Sequence, residues 1–580
     1  MTIKHQLVTQ LTEVLEQLGI SDSTPSVDYP TDPKHGDYAT NVALIAAKKL
    51  GKNLPAGRQG PRAVAEEIAN SAGWQMAYGK WLDKIEIAGP GFINFWIKDA
   101  YLLQYGETQD LASLQTALSG KKLMVEYAHP NTHKEMHIGH MRTLVIGEAL
   151  SRLFDAVGAE VFRANYQGDI GMHVAKALFG IPVLLAEKSL QLADVSTWNN
   201  FDKAHFLGQA YALGSQEYEE HKEEIDQINK DLYAQKEPAY ALYRTTRAWS
   251  LDYYDEFYKR FYTKFDRLFF ESETADLGKK TVEEYLGDIF ETQNGAIIFP
   301  GEKYGLHTRV FITTAGNPTY EGKDMGLGFI EHEAFPFDQC IHIVASEQTG
   351  YFQVVIKVLQ LIDPKKFAGE YHLPMGMVQL KDRKMSSRTG DVLTVDWLLD
   401  QIKERVEQIT SEGRISSDDK DKTIEQIVIG AVKYSVLKVS TTQDAAFDIE
   451  TSVSLDGNSG PYLQYTYART RSVLSKAENA KLKTQKLAEG FVLELEEREL
   501  LRLLARFPEV VEEAAVRYAP NVLCTYLFAI AQAFNLFYQK CPILKAEEEV
   551  KDFRLALTDA TGTILKNGLN LLGIQAPEKM

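Results

Sequence analysis

The stretch that decides the fold is Val125–Gly158, VEYAHPNTHKEMHIGHMRTLVIGEALSRLFDAVG, and within it His137-Ile138-Gly139-His140. Leu123–Tyr127 (LMVEY) is a short apolar run with one carboxylate, as in a buried strand, and Met141 to Val157 repeats apolar residues at helical spacing. The two imidazoles therefore stand where a strand turns into a helix. The first N–H groups of a helix are unpaired and its dipole is positive there, so a phosphate anion is stabilised at such a turn. Gly139 lets a ligand or another backbone come closer than a Cβ would allow. His137 and His140 add side-chain donors on the same side, able to hydrogen-bond a phosphoryl oxygen. On the tetrapeptide alone, a pair of surface or core histidines near a helix start remains the plain alternative.

Working outward, strands alternate with helices from Lys122 to about Arg388: LMVEY, the helix after His140, EVFRANYQGD, and later IHIVAS and HLPMGMVQL. That alternation predicts a parallel sheet with helices on its faces and ligands at the carboxyl ends of the strands. The expected α/β domain is 119–396. A helical insertion at about 190–300 interrupts it, clearest from Trp198 to Thr274, where Tyr, Phe, Glu and Lys recur at helical periods without strand signals. Residues 1–118 read as a small α+β domain. It has a helix, a turn-rich segment at Pro33–Asp37, an apolar helix stopping at Gly51, an amphipathic helix from about Ala63, and two alternating runs flanking Gly89-Pro90-Gly91 as a hairpin. A dimerisation or capping module and an RNA-binding module fit that pattern equally. Residues 397–580 are almost purely helical and predict a bundle.

The 580 residues, 44% hydrophobic and 25% charged, suit a multidomain globular protein. A net charge of −17 argues against indiscriminate polyanion binding. It leaves room for a local basic face, because only charges within about 10 Å of a phosphate act strongly at moderate salt. The N-terminal MTIKHQLVTQLTEVLEQLG is amphipathic and does not read as a signal peptide. No run approaches the ~20 apolar residues of a membrane helix; the longest apolar stretch, Tyr526 to Tyr538, carries Gln532 and Asn535. Cys340, Cys524 and Cys541 are too scattered for a disulfide framework or a C-x-x-C zinc site. The expectation is a reducing, cytoplasmic setting with no membrane, no structural zinc and no other protein-held metal.

Some 245 residues beyond the histidines lies Lys384-Met385-Ser386-Ser387-Arg388, in a loop framed by Gly376 and Gly390. Lysine is a flexible point charge able to follow a moving phosphate. An HIGH motif near the first strand of a parallel sheet, followed by KMSSR, resembles the class I aminoacyl-tRNA synthetases. The local wording is similar to arginyl-tRNA synthetases, with motifs in that family's order. These are VEYAHPNTHKEMHIGH, ANYQGDIG, TYEGKDMGLG, IVASEQ, GMVQL, KMSSRTGDV, SLDGNSGPYLQYTYARTRS, AQAFNLFYQKCPIL and LKNGLNLLGIQAPEKM. HGDYATNVAL resembles the family's N-terminal tRNA-contacting domain. The similarity spans nearly the whole chain, thinning in the insertion and between about 475 and 515.

The resemblance implies a Rossmann-like catalytic domain, an arginine–tRNA ligase activity, ATP with Mg2+, and tRNA(Arg) as partner to a chain read as a monomer. By the same carry-over His137 and His140 contact ATP phosphates, Gly139 lies beneath the adenine, and Met377, Val378 and Ser386 add ATP contacts. Lys384 stabilises the departing pyrophosphate. Asn131 and Gln348 hold the amino acid's α-amino and carboxylate end, and Glu126, Tyr320 and Asp324 receive the guanidinium. That last set makes physical sense unaided, because five N–H donors and one charge call for carboxylates and a hydroxyl in a fixed plane. A structural ion pair is the alternative for Glu126 and Asp324. Tyr462, Tyr465 and Met580 fall at anticodon-binding positions, with Arg469 and Arg471 nearby for phosphates, although tyrosines at i and i+3 also suit a helical core.

Three departures stand out. Gly168-Asp169-Ile170-Gly171 has Ile170 where the family commonly has tryptophan, Ala128-His129 replaces a pair of small residues, and KMSSR replaces KMSKS. Rival classes are a smaller HxGH nucleotidyltransferase, which would lack KMSSR and the long helical C-terminus, and a catalytically silent synthetase-like RNA-binding protein, which would tolerate loss of His137, His140 or Lys384. Among synthetases, the carboxylates argue against glutamate or glutamine, and cysteine would favour a zinc site.

Overall fold

The computed structural model describes residues 2–20, 25–50, 60–107, 117–381, 393–409, 420–477 and 492–580. Lys384 and Ser386 lie outside the described residues. The chain divides into two compact units. One comprises residues 1–114, 466–513 and 526–567; the other comprises 115–465, 514–525 and 568–580.

In the first unit the helix Ile3–Gln17 is capped by Thr2, whose hydroxyl accepts from the His5 N–H at 3.2 Å. Its apolar stripe, Ile3, Leu7, Leu11 and Val14, is fully buried, as helical spacing predicts. The sheet has the antiparallel order β1 (Tyr38–Thr40), β3 (Phe92–Ile97), β2 (Leu82–Ala88). The β2–β3 hairpin turns at Gly89-Pro90-Gly91, both glycines at positive φ. β1 sits in HGDYATNVAL, between the turn-rich segment Pro33–Asp37 and the apolar helix, where the sequence pattern shows no separate strand. Buried Asp37 accepts both Nη atoms of Arg498 (3.1 and 3.0 Å) and the Ile97 N–H (2.7 Å). Tyr38 donates to the buried carboxylate of Glu509 at 3.1 Å, which also accepts from Tyr29 at 2.7 Å. The charge and hydroxyl of this motif are therefore engaged inside the unit.

The second unit carries β4 (Lys122–Glu126), β5 (Glu160–Gln167), β6 (Arg267–Phe270), β7 (Glu291–Gln293), β8 (Ala296–Phe299), β9 (Arg309–Ile312), β10 (Gln339–Ala345), β11 (Glu370–Met375), β12 (Val378–Leu380) and β13 (Ala445–Phe447). Five of them form an all-parallel sheet in the order β11-β10-β4-β5-β6. The chain enters at the centre, works outward to one edge, then returns to the other side of β4. That order reverses between β4 and β10, and the crevice outside their carboxyl ends is where such sheets hold ligands. HLPMGMVQL is two strands, because β12 leaves the parallel sheet to pair with β13.

The insertion differs from its expected helical form. Its helices Asn200–Gln216, Lys222–Tyr233 and Ala239–Arg260 pack with Met172–Glu187 around Leu178, Phe206, Leu207, Ile225, Tyr243 and Trp249. At Arg267–Phe270 the chain returns to the sheet as edge strand β6, and β7–β9 then form a separate antiparallel sheet. β6 is only four residues long and is preceded by a long run of Tyr and Phe at helical periods, so its signal was masked. In the C-terminal region, β13 interrupts the helices, and residues 420–465 belong to the unit that holds the parallel sheet. Among the described residues one helix, Pro520–Lys540, is long and apolar enough to cross a membrane by length and composition, contrary to the reading from the bare sequence. Its Leu523, Leu527, Ile530, Phe534 and Phe537 are buried in the fold, the placement of a core helix.

Candidate active site

His137 is the N-cap of the helix Ile138–Ala156. Its Nδ1 accepts from the N–H groups of Gly139 (3.1 Å) and His140 (3.2 Å), and His140 Nδ1 accepts from the His137 N–H at 3.5 Å. The Ile138 N–H donates to the Leu393 carbonyl. These contacts revise the expected phosphate cradle. The first backbone donors of the helix are already used, two of them by the His137 ring itself. Gly139 is required because a Cβ there would lie 2.9 Å from the His137 ring, so the close neighbour is that imidazole. The rings stack with centroids 3.5 Å apart. Burial and the charge of Lys134 lower the His137 pKa to about 4; burial and the neighbouring His137 and His129 push His140 well below its ordinary value. Both are neutral at pH 7 with Nδ1 accepting, so the proton sits on Nε2 and that atom is the remaining donor.

The same helix starts against the end of β4. A Cβ on Gly147 would stand 2.1 Å from Cγ of buried Tyr127, so only glycine lets the helix lie this close to that ring. Two residues after the motif, fully buried Arg142 donates to the carbonyls of Met377, Gln443 and Thr441, with the Met377 N–H held by Asp444 at 2.7 Å. The sequence reading missed this arginine, which ties the segment holding Met377 and Val378 to the histidine helix. Its only signal is a charged residue amid an apolar helical run.

At the β4/β10 reversal lies a cavity of about 440 Å³. Glu126, Asn131, Tyr320, Asp324 and Gln348, drawn from three parts of the chain, all line it. Glu126 ends β4; Asn131 follows it, bridged to Gly168, where a Cβ would fall 2.1 Å from Asn131 Oδ1. Tyr320 opens the helix Tyr320–Ala334 with 58% exposure, and Asp324 is one turn along. Gln348 is exposed on the turn after β10. Tyr351 donates to Asp324 Oδ2 at 2.6 Å, while Tyr320 stands at the rim. His129, one of the departures, lies in the left-handed region (φ 52°), with Nδ1 3.7 Å from Glu126 Oε1.

Residues absent from the sequence reading complete the floor. Buried His342 on β10 holds Glu126 Oε1 with Nδ1 (3.1 Å) and Glu370 Oε2 with Nε2 (2.7 Å). Burial would raise the Glu126 pKa, but His342 outweighs it and lowers it to about 2. Glu126 is thus half of an ion pair through one oxygen, while its Oε2 is buried without a hydrogen-bond partner. Burial, reinforced by the charge of Glu126, raises Asp324 to about 8 against the bond from Tyr351. The cavity therefore brings together buried carboxyls, of which Glu126 is paired with His342 and Asp324 is driven toward its protonated form. Cys340, His342 and Glu370 bring three possible metal-ligand atoms within 4.8 Å of one another. Both ring nitrogens of His342 are already engaged by carboxylates, so this group holds protons and offers no imidazole lone pair. The period-2 placement of Cys340, His342 and Val344 on β10 was the available clue to an inward-facing histidine.

Asp169 anchors the loop beneath Asn131. It accepts from Arg247 Nε (2.8 Å), Tyr243 (3.2 Å), the Ser272 N–H (2.9 Å) and the Ser272 hydroxyl (2.7 Å). Ile170, where the resemblance leads one to expect tryptophan, packs instead into the insertion core.

Three family profiles match the chain: the arginyl tRNA synthetase N terminal domain over residues 2–97, the catalytic domain of tRNA synthetases class I (R) over 107–449, and the DALR anticodon binding domain over 463–580. The arginine–tRNA ligase of Treponema denticola is 32% identical over 575 residues, covering 96% of this chain and 95% of that protein. The chain belongs to the arginyl-tRNA synthetase family. The arginine–tRNA ligase of Bdellovibrio bacteriovorus is 33% identical over 79% of this chain and 80% of its own length. The arginyl-tRNA synthetase structure from Thermus thermophilus matches with a TM-score of 0.82 at 25% identity over all of both chains. That from Plasmodium falciparum, at 20% identity and TM-score 0.78 over all of both chains, agrees in fold.

Toward the C-terminus, Tyr462 and Tyr465 are half-buried on the helix Gly460–Ser475, whereas Tyr467 is the core tyrosine of that helix. Arg471 is paired with Asp559 at 2.8 Å, and Arg469 bonds Asn535 and lies over Tyr538. Those two cations are engaged internally. Met580 is half-buried at the end of the chain.

Proposed function

We infer that the chain is an arginine–tRNA ligase that joins L-arginine to ATP as arginyl-adenylate and then passes the ester to the 3′-terminal ribose of tRNA(Arg). The observation that carries this reading is the carboxyl-lined cavity at the β4/β10 reversal, with Glu126 and Asp324 in its wall. Glu126 and Asp324 take the guanidinium. A neutral analogue would leave at least one buried charge badly paired, at about 1–3 kcal/mol per lost contact. Asn131 and Gln348 hold the α-amino and carboxylate end, turning that carboxylate toward the α-phosphorus.

The carboxylate is already a competent nucleophile, so no base and no covalent enzyme intermediate are needed, and catalysis is positioning and charge stabilisation. His137 and His140 donate from Nε2 to phosphoryl oxygens as charge builds. Met377 and Val378 flank the nucleotide, with Gly139 beneath the adenine, and Lys384 with Ser386 meets the departing pyrophosphate. Mg2+ accompanies ATP, held by its phosphates and water. Tyr462, Tyr465 and Met580 serve the anticodon, with 397–580 the anticodon-binding domain and 1–118 a further tRNA contact. The enzyme works as a cytoplasmic monomer.

The test is charging of total tRNA with each of twenty radiolabelled amino acids and ATP, beside a Lys384→Ala control. Arginine alone should charge, and the control should fall by at least two orders of magnitude. Charging of a different amino acid, or tRNA binding without any charging, would overturn the assignment.

A further inference from the structure

Glu331 has no place in the roles assigned above. It lies two turns beyond Asp324 on the helix Tyr320–Ala334 and lines the same cavity. Its relative exposure is 0%, and no N–H or hydroxyl donor reaches either carboxyl oxygen; they face the carboxyl of Glu126 instead. The titratable groups around it come from three strands: Glu126 from β4, Cys340 and His342 from β10, and Glu370 from β11. Of these, His342 is the cation, and both its ring nitrogens are taken by Glu126 and Glu370. Glu126 Oε2 and Glu370 Oε1 are likewise buried without a partner. An ionised Glu331 would add a further anionic carboxylate to a buried cluster whose imidazolium already serves two others. Two adjacent buried carboxyls avoid that state by keeping a proton on one of them.

We propose that Glu331 is a further specificity-determining residue of the amino-acid pocket, which carries a proton when the pocket is empty and releases it to solvent when a guanidinium enters. Burial and the charge of Glu126 both push its carboxyl well above the ordinary range, in keeping with this. The proton balance is simple. The incoming side chain brings one positive charge and the carboxylic acid of Glu331 loses one proton to the buffer, a one-for-one exchange at this residue, with any proton from Asp324 counted separately. The resulting carboxylate pairs with the guanidinium from the floor, while Asp324 and Glu126 meet it from the sides. The selectivity follows from the same exchange. Citrulline has the shape of arginine but no charge, so it cannot displace the proton and gains no ionised partner.

This inference rests on the reading of the cavity as the arginine pocket. The experiment is calorimetric titration of the full chain with L-arginine at pH 7 in two buffers of different ionisation enthalpy, which counts protons released per ligand bound. It is run on the wild type, Glu331→Gln and Asp324→Asn, with citrulline as a second ligand. Asp324, also raised, releases protons of its own, so the difference between chains is what is read. The wild type should release about one proton more than Glu331→Gln, and that variant should bind arginine 10- to 100-fold more weakly with citrulline binding unchanged. Asp324→Asn should retain the release that belongs to Glu331. Equal proton counts and affinities in wild type and Glu331→Gln would overturn the proposal. Should Glu331→Gln fail to fold, arginine binding by Asp324→Asn without proton release overturns it as well. An absence of arginine binding by the wild type is a separate outcome that removes the pocket reading and this proposal together.

Discussion

Replacing Asp169 by alanine tests the idea that one buried carboxylate holds the floor of the active site to the insertion. Asp169 is 0% exposed and accepts four hydrogen bonds at 2.7–3.2 Å, from Arg247, Tyr243 and both the backbone and hydroxyl of Ser272. Loss of the charge-assisted bond from Arg247 removes about 1.5–3 kcal/mol. The Ser272 N–H and the buried Tyr243 hydroxyl are then left without acceptors, at about 1–3 kcal/mol each. Allowing for relaxation and entry of water, the local destabilisation is about 4 kcal/mol, a 10³-fold rise in opening. Hydrogen exchange of the full chain reads this directly. Amides of 267–273 and 239–249 should exchange far faster in Asp169→Ala, while those of the first unit keep their wild-type rates. Arginine affinity should fall with them, because Asn131 is bridged to the neighbouring Gly168. A change in exchange corresponding to less than about 1 kcal/mol would refute the argument that these bonds fix the loop.

Three further outcomes are expected. Gly147→Ala puts a Cβ 2.1 Å from Tyr127 Cγ and should cost about 2–3 kcal/mol by overpacking, seen as a lowered unfolding temperature. Arg142→Lys loses the planar fork that reaches the Met377 and Gln443 carbonyls from two separate nitrogens; KM for ATP should rise about tenfold, as measured by pyrophosphate exchange. His133 is fully buried between Thr132 and Thr246, and burial, with Arg247, lowers its pKa to about 3. Its folded value lies below the unfolded ~6.5, so its contribution is complete above pH 6.5 and is lost as pH falls toward 3, amounting to about 2 kcal/mol between pH 7 and 5. Urea unfolding at the two pH values should show that loss shrinking by this amount in His133→Gln; an identical pH dependence would contradict it.

Local pattern carried much of the fold. The buried stripe Ile3, Leu7, Leu11, Val14, the hairpin at Gly89–Gly91, and the strand-to-helix turn at His137 each follow from periodicity and turn chemistry within a short window. The sequence by itself therefore determined an alternating α/β domain between an α+β and a helical region, and it singled out five pocket residues that the fold gathers around one cavity, with two histidines at the start of the helix that follows β4. β6 escaped because four residues beside a Tyr- and Phe-rich helix do not express a period. What only the tertiary structure decided is which partner each polar group meets. Glu126 meets His342 across 216 residues, Asp324 meets Tyr351, and Asp37 meets Arg498. It also turned the His137 ring back onto its own helix start, so that its Nδ1 takes two of the backbone donors and Nε2 is left as the donor of that ring. The reason is physical: hydrophobic periodicity is written in neighbours three or four positions apart, whereas the protonation and pairing of a buried charge depend on groups brought from distant strands into the same low-dielectric space.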